Sequence, residues 1–212
     1  MAPLIDISVR LHNRSTAWPS SPGFRRNLRQ EIRRGDRANG SEIHMDVHCG
    51  THVEAPWHFI EGGQPMASIS LDVLVGPALV VDLRGCDQIG PEALNEVVPH
   101  DLRLERLLLR TTNSDRWTSR TDFDPQYAAL SLEGARWIVD RGVRLVGADY
   151  LSVQRFEDDP ETHRVLMRAG IAILEGLDLS GAEPAMYRLT CLPLHIPDAE
   201  AAPARAILEE LP

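Results

Sequence analysis

Three histidines and a glutamate fall within eleven residues of one another, in His48-Cys49-Gly50-Thr51-His52-Val53-Glu54-Ala55-Pro56-Trp57-His58. Imidazole and carboxylate together bind borderline divalent cations such as zinc or manganese. The clustering carries the argument rather than the total, since four of the eight histidines lie between residues 44 and 58. Histidines four apart can share a helix face, but Gly50, the β-branched Thr51 and Ala55-Pro56 favour a loop leaving a strand. Three ligands supplied in this way leave coordination positions open for water, which is the catalytic rather than the closed structural arrangement. His44 and Asp46 alternate with a predicted strand over Ser41–Val47 and read as solvent-facing. Cys49 reads as a packing residue, and Cys86 and Cys191 as buried thiols that match no metal spacing.

The elements that must hold this segment are legible in outline. Leu4–Ser8 alternates apolar and polar residues and is a predicted first strand. Residues 10–40 are Arg-rich, carry Trp18-Pro19-Ser20-Ser21-Pro22-Gly23, and read as a long loop or arm with an edge strand near 26–34. The predominantly apolar runs Ala78–Leu83 and Arg106–Arg110 suit strands buried on both faces. A helix is predicted from Pro91 to Val98, with proline in the first turn. Another runs from an N-cap at Ser131 to a C-terminal glycine at Gly142. Val143–Gly147 follows as a strand, then a helix from Asp159-Pro160 to about Gly170. Further strands are predicted at Ile171–Leu174, Tyr187–Leu194 and Ala204–Leu208. Strands dominate, and the expectation is a single α/β domain spanning 1–212 with a mixed sheet and few helices.

Composition excludes several functions. With 212 residues the chain is long enough to bury roughly 70% of its unfolded surface, so it needs no disulfide staples. All 22 basic residues are Arg, so a Schiff-base lysine, a P-loop lysine and a lysine general base are all excluded. A net charge of −9 argues against nucleic-acid and anionic-membrane partners. No apolar run approaches the ~20 residues of a membrane helix, and no signal-peptide pattern opens the chain. Three widely separated cysteines read as reduced thiols, and a cytoplasmic protein is expected.

The pattern H-x-G-T-H-x-D/E-x-P-x-H over residues 48–58 resembles the signature of the cyclase family, which includes bacterial kynurenine formamidases, isatin hydrolases and polyketide-type cyclases. The resemblance extends through Leu71–Pro77, Leu109–Ser114, Arg141–Asp149, Ile173–Leu177, Cys191–Leu194 and Ala202–Arg205. It implies a swivelling β/β/α fold. It also implies a divalent cation, zinc or manganese, held by His48, His52 and Glu54. A second cation site would be completed by His163 and Glu175, which are twelve residues apart. His58 takes the position of the family's catalytic histidine, with Glu175 orienting it or a cation. Family members usually carry Asp where this chain has Glu54, and the extra methylene moves the carboxylate by about a bond length.

Together these features imply a metal-dependent hydrolase of a small amide, N-formyl or cyclic amide substrate, resembling kynurenine formamidase. In such an enzyme the cation lowers the pKa of bound water from ~15.7 to about 7, and His58 carries the proton to the leaving group. His58 is expected to stay outside the metal's ligand set, because the chain should turn away after Pro56. The alternatives are a cyclase or a lactone- or isatin-type ring hydrolase, and a non-catalytic metal- or ligand-binding protein. Trp18 and Trp57 are candidates for an aromatic substrate wall. Self-association into a homodimer or homotetramer is expected, with the 10–40 arm contributing.

Overall fold

The computed structural model describes residues 3–119 and 122–211. In chain order the strands are β1 (Leu4–Asp6), β2 (Arg25–Gln30), β3 (Gly40–His44), β4 (His52–Glu54), β5 (Val75–Asp82), β6 (Gln88–Ile89), β7 (Arg106–Arg110), β8 (Ala129–Leu130), β9 (Leu145–Ala148), β10 (Ala172–Glu175), β11 (Ala185–Pro193) and β12 (Ala201–Glu210). The helices are α1 (Leu71–Leu74), α2 (Pro91–Val97), α3 (Arg116–Ser119), α4 (Leu132–Asp140) and α5 (Glu161–Arg168). Among the described residues no helix is long and apolar enough to cross a membrane.

Seven strands form a closed ring in the order β12-β11-β5-β7-β9-β10-β4, with β4 returning to β12. The expected mixed sheet is therefore a mixed barrel. The pairs β5–β7, β7–β9 and β9–β10 are parallel and the remaining pairs antiparallel. Closure comes from a change of partner along β12. Its Ala204–Glu210 portion pairs with β11, while Ala201–Pro203 pairs with Glu54–His52 of β4. β1 adds to the outer side of β12.

One apolar cluster takes a residue from every strand of the ring: Val53, Val80, Leu108, Leu145, Leu174, Leu189 and Leu208. It fills the barrel. A second cluster sets Leu79, Val81, Leu107, Leu109, Val146 and Ile173 against Leu94 of α2, Ile138 of α4 and Leu166 of α5. Alternate residues of β5 and β7 thus enter two different cores, which is why these strands read as continuous apolar runs. The Ser131 cap forms as predicted, its Oγ accepting from Gly134 N at 3.0 Å. Beyond α4 the chain takes a left-handed conformation at Gly142, with φ +69°.

The 10–40 segment is more ordered than a loop. β2 pairs antiparallel with β3, with Arg25 opposite His44 and Leu28 opposite Ser41, and a 3-10 turn over Ile32–Arg34 follows β2. Every residue of β2 is exposed. The strand predicted over Ser41–Val47 ends at His44, and Asp46–Cys49 forms a turn closed by Cys49 N donating to Asp46 O at 3.3 Å.

Candidate functional site

Strand alternation sets the first side chains. Val53 points into the barrel, so its neighbours His52 and Glu54 point out of it, toward α5. On the adjoining strand Glu175 pairs directly with His52 across the antiparallel ladder. His163, on the buried face of α5, lies over the same place. Two glycines permit the close approach. A Cβ on Gly176 would lie 2.2 Å from Gly50 O, and one on Gly50 would lie 2.6 Å from Leu11 Cδ2; both have left-handed φ, at +68° and +70°. Thr51 between the histidines locks the contact by donating from Oγ1 to Gly176 O at 2.5 Å.

All six sequence-predicted residues converge. Glu54 is the hub. Its Oε1 lies 3.2 Å from His48 Nδ1, 3.7 Å from His52 Nε2 and 3.5 Å from His58 Nε2, and its Oε2 lies 3.7 Å from His163 Nε2. Glu175 approaches His52 Nε2 at 3.5 Å and His163 Nε2 at 3.2 Å, and accepts from Val153 N at 2.6 Å. The longer side chain of Glu54 stretches to the middle of the histidines.

The grouping differs from the one the resemblance implied. Among the described residues, two sets of three donors lie with their ligand atoms within 4.8 Å of one another: His48, Glu54 and His58, and His52, Glu54 and Glu175. Glu54 belongs to both, while His48 and His52 fall in different sets. The chain does not turn away after Pro56 either. A 3-10 turn over Pro56–His58 carries His58 back over Glu54, where its ring meets those of Phe59 at 4.1 Å and His48 at 4.2 Å.

The donor chemistry fits a divalent cation. His48 Nε2, His52 Nε2 and Glu54 Oε2 are buried without a hydrogen-bond partner. The far nitrogens are held from behind: His52 Nδ1 lies 2.9 Å from Gly50 O, and His163 Nδ1 lies 3.2 Å from Gln154 Oε1. Such contacts fix the tautomer and aim the other nitrogen at the cluster. Burial alone would lower the pKa of His52, but Glu175 and Glu54 outweigh it and raise it to about 10. His163 is raised in the same way, burial being overcome chiefly by Glu175. Burial would raise Glu54, yet His48 and His52 hold it well below the carboxylate range. His58 moves down, because burial dominates there. Protons and a cation compete for the same nitrogens, as ligand imidazoles must be neutral.

The cluster floors a cavity of about 410 Å³ whose wall includes Trp18, Asp46, Phe59 and Leu151. Trp18 is set by edge contacts to Phe123 and Phe156, with centroids 5.3 and 5.1 Å apart. Trp57 is 48% exposed and takes no part in that wall. Cys49 is buried and its thiol is pushed up to about 11 by burial, as suits a packing residue. Burial likewise pushes Cys191 up to about 12, whereas Cys86 is only half-buried.

Sequence reasoning passed over Gln154, Glu200 and Asp46. Gln154 braces His163, and Glu200 Oε1 stands 3.5 Å from His48 Nε2. Neither has a local signal, because each reaches its histidine only through the fold. Asp46 lines the cavity rather than facing solvent, and its position two residues before His48 was the available clue.

The chain thus joins a closed mixed barrel to a buried His/Glu cluster at the floor of a cavity, and known proteins resemble it over its whole length. Residues 5–155 match the family model described as "Putative cyclase". Cyclase-like protein 1 of Arabidopsis thaliana is 40% identical over 97% of this chain and 84% of its own length. Kynurenine formamidase of Geobacillus thermodenitrificans is 36% identical over 100% of this chain and 99% of its own. A solved structure described as a potential metal-dependent hydrolase with cyclase activity superposes with a TM-score of 0.86 at 29% identity, covering 100% of both chains. The chain belongs to the cyclase family.

Proposed function

We propose that this protein is a metal-dependent hydrolase of a small aromatic amide or N-formyl compound, similar in chemistry to kynurenine formamidase. The observation that carries the reading is the convergence of four histidines and two glutamates, with buried donor atoms left unpartnered, at the floor of a cavity with an aromatic wall. The names borne by the relatives support it. His48, His52, Glu54, His163 and Glu175 would hold zinc or manganese, with Glu54 shared between two donor sets. A bound divalent cation supplies Lewis acidity and lowers the pKa of its water.

The chain's own residues do the rest. Gln154 and Gly50 O hold His163 and His52 in place. The His58 side chain is 27% exposed against 1% for His52 and lines the cavity, so its imidazole can take a proton from water and return it to a leaving nitrogen. Phe59 packs between His58 and His163 and keeps bulk water from that side.

The test is metal analysis of the purified protein together with hydrolysis of N-formylkynurenine and isatin. Near-stoichiometric divalent metal and turnover of the formamide are expected. Metal-free protein that stays inactive after zinc and manganese loading would overturn the reading. Preference for isatin would move the substrate to ring amides. We also propose self-association as a homodimer or homotetramer, supported by the exposed β2–β3 ribbon with Leu28 and Ile43 outward. Sedimentation as a monomer at micromolar concentration would exclude it.

A further inference from the structure

We infer that Asp46 forms a cation subsite in the cavity wall, and that the preferred substrate is an aromatic amide carrying a protonated amine and no carboxylate. This deepens the hydrolase reading above and rests on it. The starting observation is that Asp46 lines the cavity with no hydrogen bond made to its carboxylate among the described residues; Oδ1 is buried, so Oδ2 is the oxygen open to a ligand. A cavity wall that carries a carboxylate without a counter-charge favours a ligand of opposite charge. The turn that presents it also presents His48, because Cys49 N donates to Asp46 O across that turn.

No lysine or arginine in the described cavity wall supplies that counter-charge. The chain has no lysine, and none of the described lining residues is an arginine. The cluster's imidazoles are directed at Glu54 and Glu175. The serines of the wall, Ser20, Ser21 and Ser152, are neutral, so a counter-charge for Asp46 must come with the ligand. An ammonium group answers it in both charge and hydrogen bonding. Trp18, held by Phe123 and Phe156, offers a fixed aromatic surface on which a ring can stack or an ammonium can rest. The same lack of a wall arginine tells against a free carboxylate on the ligand, which would meet Asp46 with like charge and no fork of donors to receive it. A cavity of about 410 Å³ lies in the range for one small aromatic molecule.

The experiment compares three formamides that share a reacting end: N-formylkynurenine, its decarboxylated amine N-formylkynuramine, and the N-acetylated, uncharged form of that amine. The wild-type protein should favour the cationic amine over both others by about tenfold in kcat/KM, the effect of one modest charge contact. In Asp46→Asn the preference for cationic over neutral substrate should collapse, through KM rather than kcat, with metal content as in wild type. Binding is measured separately by calorimetry with kynuramine and its N-acetyl form, neither of which has a formyl group to lose. If no formamide is turned over but kynuramine still binds about tenfold tighter in an Asp46-dependent way, the hydrolase reading fails and the subsite stands. Turnover without charge preference, preference for the amino acid, or a preference that survives in Asp46→Asn overturns the subsite. So does loss of metal in the variant, which would make Asp46 a ligand. Should Asp46→Asn not fold, Asp46→Ser is measured in the same way, and the wild-type preference among the three substrates already decides whether a cation is favoured.

Discussion

Two carboxylates in this barrel are almost equally hidden, Glu54 at 2% exposure and Asp149 at 1%, and they have opposite surroundings. Asp149 follows β9 and is enclosed by neutral donors. Thr111 N and Oγ1 donate to it at 2.7 and 2.8 Å, and Ser114 N and Oγ at 3.2 and 2.8 Å. Those dipoles satisfy its hydrogen bonds but bring no counter-charge, so burial wins and its pKa is raised. Glu54 is ringed by four imidazoles at 3.2 to 3.7 Å, keeps Oε2 unpartnered, and is held well below the usual range. The first network is closed by its own chain. The second is arranged around a gap. A buried polar cluster that leaves atoms unsatisfied marks the functional site, whereas a satisfied one marks structure.

The largest effect is expected of His52→Ala. If the gap exists for a cation, the variant loses most bound metal and its activity together, beyond the ~10–100-fold that loss of a supporting residue costs. Stoichiometric metal in the variant, read by elemental analysis, would remove His52 from the ligand set. His58→Ala should lower the hydrolysis rate by about 10²–10⁴-fold, the usual worth of a placed proton carrier. Because His58 shares a donor set with His48 and Glu54, metal analysis is decisive: retained metal makes it the proton carrier, lost metal makes it a ligand.

The opposite outcome is expected on the other side of the comparison. Asp149→Ala strands four buried donors and should destabilise the protein by about 3 kcal/mol while leaving metal content unchanged. Chemical denaturation and elemental analysis of the same sample check both halves, and metal loss without destabilisation would reverse the roles assigned to the two networks. Gln154→Ala should weaken cation affinity by about tenfold, since of the cluster's residues His163 alone loses its brace. Chelator competition measures it, and unaltered affinity would show that Gln154 merely packs.

The smallest effect belongs to a carboxylate of neither kind. Asp82 is half-buried and paired with Arg84, chiefly through a side-chain hydrogen bond, and its pKa is lowered from 3.8 to about 2. A folded value below the unfolded one means a stabilisation fully present above pH 3.8 and lost as pH falls through about 2. Solvent screening keeps it under ~1 kcal/mol. Asp82→Asn should leave neutral-pH stability nearly unchanged and flatten the acid limb of the unfolding curve slightly. A large loss of stability at neutral pH would show that this half-buried pair carries more than its setting allows.

The features legible in the order of residues alone are local ones. Donors packed into His48–His58 can be no more than about 35 Å apart whatever the fold, and a single turn brings them together, so their chemistry could be read from residue types and spacing. The same holds for the Ser131 cap, the glycine after α4 and the doubly buried runs of β5 and β7, each governed by nearest neighbours or a two-residue period. His163 and Glu175 were reached only through resemblance, because no spacing rule brings a helix residue and a strand end onto a loop a hundred residues earlier. Tertiary structure alone decided the rest. Strand alternation describes an open sheet and a closed barrel equally well, and closure depends on β12 changing partner from β11 to β4 at Ala201–Pro203. That closure and the Gly50–Gly176 contact set which nitrogen meets which oxygen, place His48 and His58 in one donor set and His52 in another, and bring Gln154 and Glu200 behind the histidines they touch. These are contacts between residues far apart in the chain, and the local pattern of residues does not constrain them.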